Sequence, residues 1–177
     1  EATDKEIASA LGKLAEHASA GATDLGAMFD AALGRLHGTE QPAVVYIGDG
    51  LATSGEVAAD RLSERLRRSL STSRARLFTV AVGAQSNLGL LRELARQGGG
   101  QSFRIDRTET ATSEVLRLAS AIKTPTITEL NIDLGAGLDE AMVTASGKIS
   151  RGEEVMLVAR THHALPKEAT IKGRVGG

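Results

Sequence analysis

Cysteine and tryptophan are absent from this chain of 177 residues, and its aromatic side chains are limited to one tyrosine and three phenylalanines. Without cysteine the chain has no disulfide framework, no thiolate zinc site and no cysteine nucleophile. With so few aromatic rings, we expect no stacking platform for nucleic-acid bases or sugars. The core must therefore be built from the Ala, Val, Leu and Ile that dominate the 41% of hydrophobic residues.

An excess of charge of either sign is also lacking. Lys and Arg total 21 and Asp and Glu total 22, which gives a formal net charge of −1. Because a phosphate backbone is bound by surplus basic side chains, no nucleic-acid partner is expected. No run approaches the ~20 apolar residues of a membrane-spanning helix, so we expect no direct membrane insertion of this segment.

The first half of the chain alternates between helical patterns and short apolar runs. Runs at residues 43–47, 77–82 and 102–105 predict strands, and the first of these is continuously apolar, as in a parallel strand covered on both faces. The predicted helices have apolar stripes that include Ile7, Leu11 and Leu14; Leu25, Phe29 and Leu33; Leu62, Leu66 and Leu70; Leu88, Leu91 and Leu94; and Val115, Ala119 and Ile122. This order indicates βα units and an α/β domain with a parallel sheet.

The pattern changes at residues 123–126, where we predict a boundary between an α/β domain (1–123) and a β segment (126–177). Beyond it, apolar and polar residues alternate at 129–134 and 169–175, as in strands with one buried face. Together with runs at 155–159 and 142–145, this predicts three or four antiparallel strands.

Two polar loops are predicted to meet at one rim of the parallel sheet. Thr23 precedes the helix predicted from residue 24, and Asp49 follows the strand at 43–47. The helix would rise ~20 Å and the returning strand would cover about the same distance, so both residues are expected where ligands bind in such sheets. A hydroxyl and a carboxylate, without imidazole or thiolate, suit a hard divalent cation such as Mg²⁺.

Each residue also has an ordinary structural interpretation. Thr23 is a suitable helix N-cap, and Asp49-Gly50 is a common turn sequence. The residues alone leave both interpretations open.

Three stretches resemble the von Willebrand factor type A domains. GATDLGAMFDAAL, from residue 21, resembles the loop and helix with the family's metal-site threonine, and AVVYIGDGLATSGE, from residue 43, resembles the strand and loop with its metal-site aspartate. LFTVAVGAQSNLGLLRELARQGGGQSFRI, from residue 77, resembles the last two strands and the helix between them. These stretches follow the family's order and spacing over residues 21–105, and they point to its bacterial and inter-alpha-trypsin inhibitor heavy-chain branch.

The resemblance implies that Thr23 ligates a metal and that Asp49 binds it through water, with Mg²⁺, Mn²⁺ or Ca²⁺ as the cation. Gly48 stands where many members have threonine, which removes no direct ligand. The family's first motif, Asp-x-Ser-x-Ser, and its central strand are expected upstream of Glu1, so metal binding by this segment alone should be weak or absent. A formal match at residues 106–110, DRTET, follows the strand that resembles the family's last one, and we interpret it as a helix-entry turn with threonine caps.

The implied fold is a partial doubly wound, Rossmann-like von Willebrand A sheet that lacks its first strands, followed by a small antiparallel β segment. TPTITELNIDLG, ISRGEEVMLVAR and EATIKGRV resemble the strands that follow the A domain in this branch and join the β-rich VIT domain preceding it. In the family's sheet order the missing strand pairs beside residues 43–47. We therefore expect an exposed apolar edge there.

The leading hypothesis is a non-enzymatic protein-binding or adhesion module, in which a carboxylate of a protein partner completes the coordination of the metal. The resemblance places such proteins at the cell envelope or outside the cell. One alternative is a scaffold domain with a vestigial metal site. Another is a nucleotide-dependent or hydrolytic α/β enzyme, but GxxxxGK[ST], GxGxxG and GxSxG motifs are absent from the sequence.

Two further groups of residues have simple interpretations. His162-His163 lacks a third ligand at suitable spacing, so we interpret it as a polar loop. Arg65, Arg67 and Arg68 are interpreted as the solvated face of a helix.

Overall fold

The computed structural model of the chain describes residues 3–17, 21–36, 42–73, 75–135, 137–143, 147–150, 154–162 and 168–175. The helices are α1 (Asp4–Glu16), α2 (Leu25–Gly34), α3 (Ala59–Thr72), α4 (Leu88–Gln97) and α5 (Thr108–Lys123). The strands are β1 (Ala43–Gly48), β2 (Arg76–Val82), β3 (Ser102–Ile105), β4 (Thr126–Asp133), β5 (Leu138–Val143), β6 (Ile149–Ser150), β7 (Leu157–Thr161) and β8 (Thr170–Val175). The helices and strands of the first half follow the predicted order.

β1, β2 and β3 form a parallel sheet with β2 in the middle. In its register Tyr46 lies opposite Thr79, and Val80 lies opposite Phe103. β2 is buried from its first residue to Ala81, because it has a strand on each side and helices on both faces. The α/β prediction with a parallel sheet is therefore confirmed.

Helices cover the two faces of this sheet. Leu25 and Phe29 of α2 pack with Leu66 of α3 and Leu91 of α4 against the face that carries Tyr46. On the other face, Leu118 of α5 packs with a smaller cluster of Phe78, Val80 and Phe103. Burying one such side chain contributes about 1.5–3 kcal/mol, so the larger cluster dominates the stability of the α/β part.

The cover supplied by α5 does not extend over β1. Val45 and Ile47 are 37% and 65% exposed, although their register partners Phe78 and Val80 are buried. Among the described strands, β1 pairs with β2 alone. β1 thus presents both an apolar face and an edge.

α1 is a capped helix whose apolar stripe is also exposed. A capping box starts it, in which Thr3 Oγ1 accepts the Glu6 N–H and the Glu6 carboxylate accepts the Thr3 N–H. No α1 side chain is buried, and Ile7, Leu11 and Leu14 are 48%, 60% and 71% exposed. None of the helices in the described parts of the chain has the length and apolarity needed to cross a membrane.

The described strands of the second half form two small antiparallel sheets, one of β6, β4 and β8 and one of β5 and β7. Antiparallel pairing was predicted, but the count of three or four strands was too low, because β6 has only two residues and leaves little pattern. The run at 155–159 forms its strand two residues later, as β7. The run at 142–145 is partly the end of β5, and residues 144 and 145 lie outside the described residues.

Two cations, the buried Arg76 and the partly buried Lys148, join the sheet of β6, β4 and β8 to the parallel sheet. At the start of β2, the Arg76 guanidinium donates to the carbonyls of Ala121, Ile122 and Thr124 and to Thr126 Oγ1. Lys148 Nζ donates to the carbonyls of Ser73 and Ala75, both at 3.1 Å. Burial lowers the pKa of both cations. These bonds lie at the amino end of β2, whereas the candidate site follows the carboxyl end of β1.

Candidate metal site

Thr23 lies in an exposed segment directly before α2. The N-cap of this helix is Asp24, whose Oδ1 accepts the Ala27 N–H at 2.9 Å. The interpretation of Thr23 as the N-cap is therefore wrong by one residue. Since the neighbouring carboxylate caps the helix, the Thr23 hydroxyl is not used for this purpose.

The turn after β1 is built around a tyrosine hydroxyl. Tyr46 Oη accepts the Gly50 N–H at 3.0 Å inside the protein. A Cβ at residue 48 would lie 2.5 Å from the same oxygen, and Gly50 has a φ of +72° with Leu91 packed against it. Glycine is thus required at residue 48 by close approach and at residue 50 by backbone conformation.

Asp49 is exposed between these two glycines, and hydrogen bonds to its carbonyl and to its carboxylate hold it in place. Its carbonyl accepts the Asn87 N–H at 2.7 Å, and its Oδ1 accepts the Leu51 N–H at 3.0 Å. The turn interpretation of Asp49-Gly50 is correct for the local geometry. Within the described residues the second carboxylate oxygen, Oδ2, makes no hydrogen bond, so the turn does not use the whole carboxylate.

Hydrogen bonds join the Thr23 segment to the loop that follows Asp49. The Thr23 N–H donates to Thr53 Oγ1 at 2.7 Å. In return, the Thr23 carbonyl accepts the N–H groups of Thr53 and Ser54 at 2.9 and 3.1 Å. Two loops that are about 30 residues apart in sequence therefore share one rim of the sheet.

Arg65 partly compensates the acidic side chains of the two loops, Asp24 and Glu56. Arg65 of α3 pairs with Asp30 of α2 at 2.5 Å, which raises the pKa of Arg65, and the charges of Asp24 and Glu56 raise it further. Burial raises the pKa of Tyr46. The hydrogen bond from Gly50 lowers this pKa, and the negative charge of Asp49 raises it, so that the pKa as a whole is raised. The Tyr46 hydroxyl therefore stays protonated at neutral pH.

The candidate ligand atoms at the rim are oxygens, which are the donors that a hard cation binds. Thr23 offers a hydroxyl oxygen and Asp49 a carboxylate oxygen, the ligands that Mg²⁺ and Ca²⁺ prefer. In the part of the chain that the structure describes, no three His, Asp or Glu side chains come together as a metal-binding group. Two donors fall short of six-fold coordination, so water, a partner or further residues must supply the rest.

The DRTET match at 106–110 lies two strands away from the Asp49 turn. It follows β3, which β2 separates from β1. The N-cap of α5 is Arg107, without a side-chain cap, and the Thr110 hydroxyl donates to the Arg107 carbonyl at 2.9 Å. The segment is thus a helix entry as expected, but the expectation of threonine caps finds no support among the described side chains.

The remaining candidates are the His162-His163 pair and the three arginines of α3. His162 is exposed, and His163 lies outside the described residues. Arg67 and Arg68 pair with Glu64 on the exposed face of α3, as predicted. Arg65 differs, because it binds α2 through Asp30 rather than facing solvent alone.

Sequence reasoning missed three residues that shape the rim, Tyr46, Thr53 and Asn87. Tyr46 carried a signal, since it is the chain's one tyrosine and interrupts an aliphatic strand. Asn87 was visible as a possible cap before a helical stripe, and it does cap α4 by accepting the Leu90 N–H. Thr53 carried no signal, because its role depends on a partner 30 residues away.

Comparisons with known proteins identify a related family. A family model described as the von Willebrand factor type A domain matches residues 1–103. Among solved structures, the chain is similar to von Willebrand factor type A from Catenulispora acidiphila, with 14% sequence identity, a TM-score of 0.62, and coverage of 96% of this chain and 42% of that chain. It is also similar to the ArnB paralog VWA2 from Sulfolobus acidocaldarius, with 14% identity, a TM-score of 0.49, and coverage of 91% and 48%. The chain thus spans less than half the length of either structure.

Proposed function

Because the chain belongs to the von Willebrand factor type A domain family, we propose that it is part of a module that binds a carboxylate of a protein partner through a divalent cation. Domains of this family generally mediate protein interactions, often with metal dependence, and are generally not enzymes. In this proposal Thr23 and Asp49 are cation ligands, and no residue is catalytic.

The observation that carries the proposal is the joining of the two loops. Three hydrogen bonds tie the Thr23 segment to residues 53 and 54, and Asp49 begins the same loop. The Thr23 hydroxyl and one Asp49 oxygen make no hydrogen bond within the described residues. A cation at this rim would therefore displace none of the hydrogen bonds that build it.

The charge of the donors favours an acidic partner. Thr23 is neutral and Asp49 carries one negative charge, so these two donors leave a bound Mg²⁺, Mn²⁺ or Ca²⁺ with a net positive charge. The cation supplies an electrostatic anchor for an incoming carboxylate. In our proposal Thr23 binds the cation directly and Asp49 binds the cation through water.

Two side chains do not complete such a site, so the proposal requires a third loop like the family's Asp-x-Ser-x-Ser motif in the native polypeptide. We further propose that the protein belongs to the bacterial and inter-alpha-trypsin inhibitor heavy-chain branch, with β4–β8 as the strands that follow the A domain. This assignment is supported by their antiparallel pairing directly after α5. It favours a protein of the cell envelope or extracellular space.

A scaffold with a vestigial metal site is the second candidate function. It is favoured by one observation, that no three acidic or histidine side chains cluster in the described residues. The two candidates differ in what the native polypeptide does with Mn²⁺: a scaffold binds none at this rim.

The proposal is tested on the native polypeptide with Mn²⁺ as the probe. We expect Thr23→Val, which removes the hydroxyl but keeps the shape of the side chain, to weaken Mn²⁺ binding at least about tenfold, while Thr23→Ser retains it. Acetate at constant ionic strength should then lower the water-proton relaxation rate of the bound Mn²⁺, because a carboxylate replaces a coordinated water.

Equal Mn²⁺ affinities for Thr23→Val and Thr23→Ser would contradict the assignment of Thr23. Mn²⁺ binding that acetate leaves unchanged would contradict carboxylate recognition. Absence of Mn²⁺ binding by the unmutated protein would leave the scaffold as the better account.

A further inference from the structure

The chain's one tyrosine lies beneath the turn that carries Asp49. Tyr46 is 8% exposed, and its ring packs against Phe29 of α2 with the ring centroids 5.6 Å apart. It points into the face of the sheet that α2, α3 and α4 cover. A phenylalanine would satisfy this packing, so the hydroxyl calls for a separate explanation.

The hydroxyl contacts both glycines of the turn. It accepts the N–H of Gly50, which is buried, and it occupies the space that a side chain at residue 48 would need. The residue between them is Asp49, whose carbonyl is fixed from the other side by the Asn87 N–H at 2.7 Å. The backbone of Asp49 is thus held between β1 and the start of α4.

We propose that Tyr46 is a positioning residue, whose hydroxyl fixes the turn at residues 48–50 and thereby holds the Asp49 carboxylate where it can serve a cation. This inference rests on the proposed function for its consequence, but the hold on Asp49 is a property of the chain itself. It also explains the glycine at residue 48, where the hydroxyl leaves no room for a side chain.

The substitution Tyr46→Phe separates the hydroxyl from the ring. The aromatic packing against Phe29 remains, whereas the buried Gly50 N–H loses its acceptor. Leaving a buried N–H without an acceptor destabilises the folded protein. The smallest change that avoids this is a shift of the turn that lets water reach the Gly50 N–H. The effect should therefore concentrate at residues 49–51 rather than spread through the core.

A matched control lies on the neighbouring strand. Thr79 is opposite Tyr46 in the register, is fully buried, and donates its hydroxyl to the Leu91 carbonyl at 3.0 Å. Thr79→Val also deletes one buried hydroxyl from the core, but this hydroxyl bonds a carbonyl of α4 and not the backbone of residues 48–50.

The first measurement is amide hydrogen exchange by NMR on the native polypeptide without metal. The Leu51 N–H reports on the Asp49 carboxylate because it donates to Oδ1. We expect Tyr46→Phe to speed exchange at Gly50 and Leu51 about tenfold relative to the unmutated protein, and Thr79→Val to leave both unchanged. Unchanged Leu51 exchange in Tyr46→Phe, or equal acceleration in Thr79→Val, would overturn the proposal.

The second measurement is the affinity for Mn²⁺ of the same three proteins. We expect Tyr46→Phe to weaken binding about tenfold and Thr79→Val to leave it unchanged, as for a residue that orients a ligand. Equal affinities of the unmutated protein and Tyr46→Phe would overturn the positioning role. If the unmutated protein binds no Mn²⁺ while Leu51 exchange still rises in Tyr46→Phe, the proposed function fails and the hold of Tyr46 on Asp49 stands.

Discussion

Arg76 is buried at the start of β2, although arginine is among the residues that proteins bury least. Its guanidinium binds the carbonyls at the end of α5 and the Thr126 hydroxyl, and it lies 5.2 Å from the centre of the Phe78 ring. The carbonyls at a helix end lack partners within the helix and carry its negative dipole, so a cation is well placed there. One side chain thereby ties α5 and β4 to the sheet.

We predict that Arg76→Met lowers the free energy of unfolding by about 2–4 kcal/mol, because the partly buried carbonyls lose their charged donor. Chemical denaturation monitored by circular dichroism measures this. Arg160→Met is the control, since Arg160 forms an exposed pair with Glu140 and should change stability by less than about 0.5 kcal/mol. Equal effects of the two substitutions would show that Arg76 does not join these elements.

Single residues also show which roles the sequence alone predicts and which it does not. Thr23 and Asp49 could be proposed because each is predicted at an element boundary and lies in a stretch that resembles a metal motif of the family. The cap at Asp24 instead of Thr23 was missed because both residues are good N-caps, and only the backbone geometry chooses between them. The role of Tyr46 depends on a hydrogen bond across a turn, which no pattern encodes.

At the scale of elements, α3 shows how local charges support an exposed face. Glu64 pairs with Arg67 at 2.8 Å and with Arg68 at 3.0 Å, three and four residues along the helix. These two hydrogen bonds lower the pKa of Glu64 to about 2. Spacings of three and four residues place such partners on one side of a helix, so the sequence predicted this face correctly.

The lowered pKa predicts a pH dependence. Because the folded-state pKa lies below the ordinary value of 4.5, the stabilisation is complete above pH 4.5 and is lost as the pH falls towards 2. We expect Glu64→Gln to melt below the unmutated protein at pH 6 and the difference to shrink by pH 2. Melting curves recorded from pH 6 to 2 check this, and a constant difference over the whole range would contradict it.

The elements were predicted better in the first half than in the second. Parallel strands covered by helices leave continuous apolar runs, which are easy to recognise. The strands of the second half are short, mostly exposed and interrupted by bulges, where Glu129 and Glu140 have φ values of 53° and 51°. A bulge shifts the alternation of side chains by one residue, so strand ends and strand count could not be derived from alternation alone.

At the scale of the whole molecule, the helices cover the parallel sheet unevenly and leave β1 exposed. Val45 and Ile47 are exposed on β1, and among the described strands only β2 pairs with it. An exposed apolar strand with free N–H and C=O groups is a template for pairing with another chain. The apolar edge expected from the sequence is present in the described residues.

We therefore predict that this polypeptide, taken alone, binds a hydrophobic dye and associates in a concentration-dependent manner, as light scattering measures. Ile47→Lys should reduce the association, because a charge on an edge strand opposes pairing. Ile7→Lys on the exposed stripe of α1 is the control and should not reduce the association, since a helix has no unpaired N–H and C=O groups along its side. A cooperative, dye-free monomer would contradict the prediction.

The fold class and the family followed from the order of elements and from three sequence stretches, because both depend on local pattern. The site itself depends on how distant loops meet, and the sequence predicted only that Thr23 and Asp49 share a rim. The contacts of Thr53 and Asn87 that build this rim are tertiary, and the contact of Tyr46 closes a turn four residues along the chain. They became visible only in the structure.

The most direct test of the account compares the Mn²⁺ affinity of Asp49→Asn and Asp30→Asn in the native polypeptide. Asparagine keeps the oxygen that accepts the Leu51 N–H, so Asp49→Asn removes the charge but preserves the turn. Asp30 is an exposed carboxylate in the middle of α2 that pairs with Arg65. We predict that Asp49→Asn weakens Mn²⁺ binding about 10- to 100-fold and that Asp30→Asn leaves it unchanged. Equal affinities of the two variants would contradict the central claim.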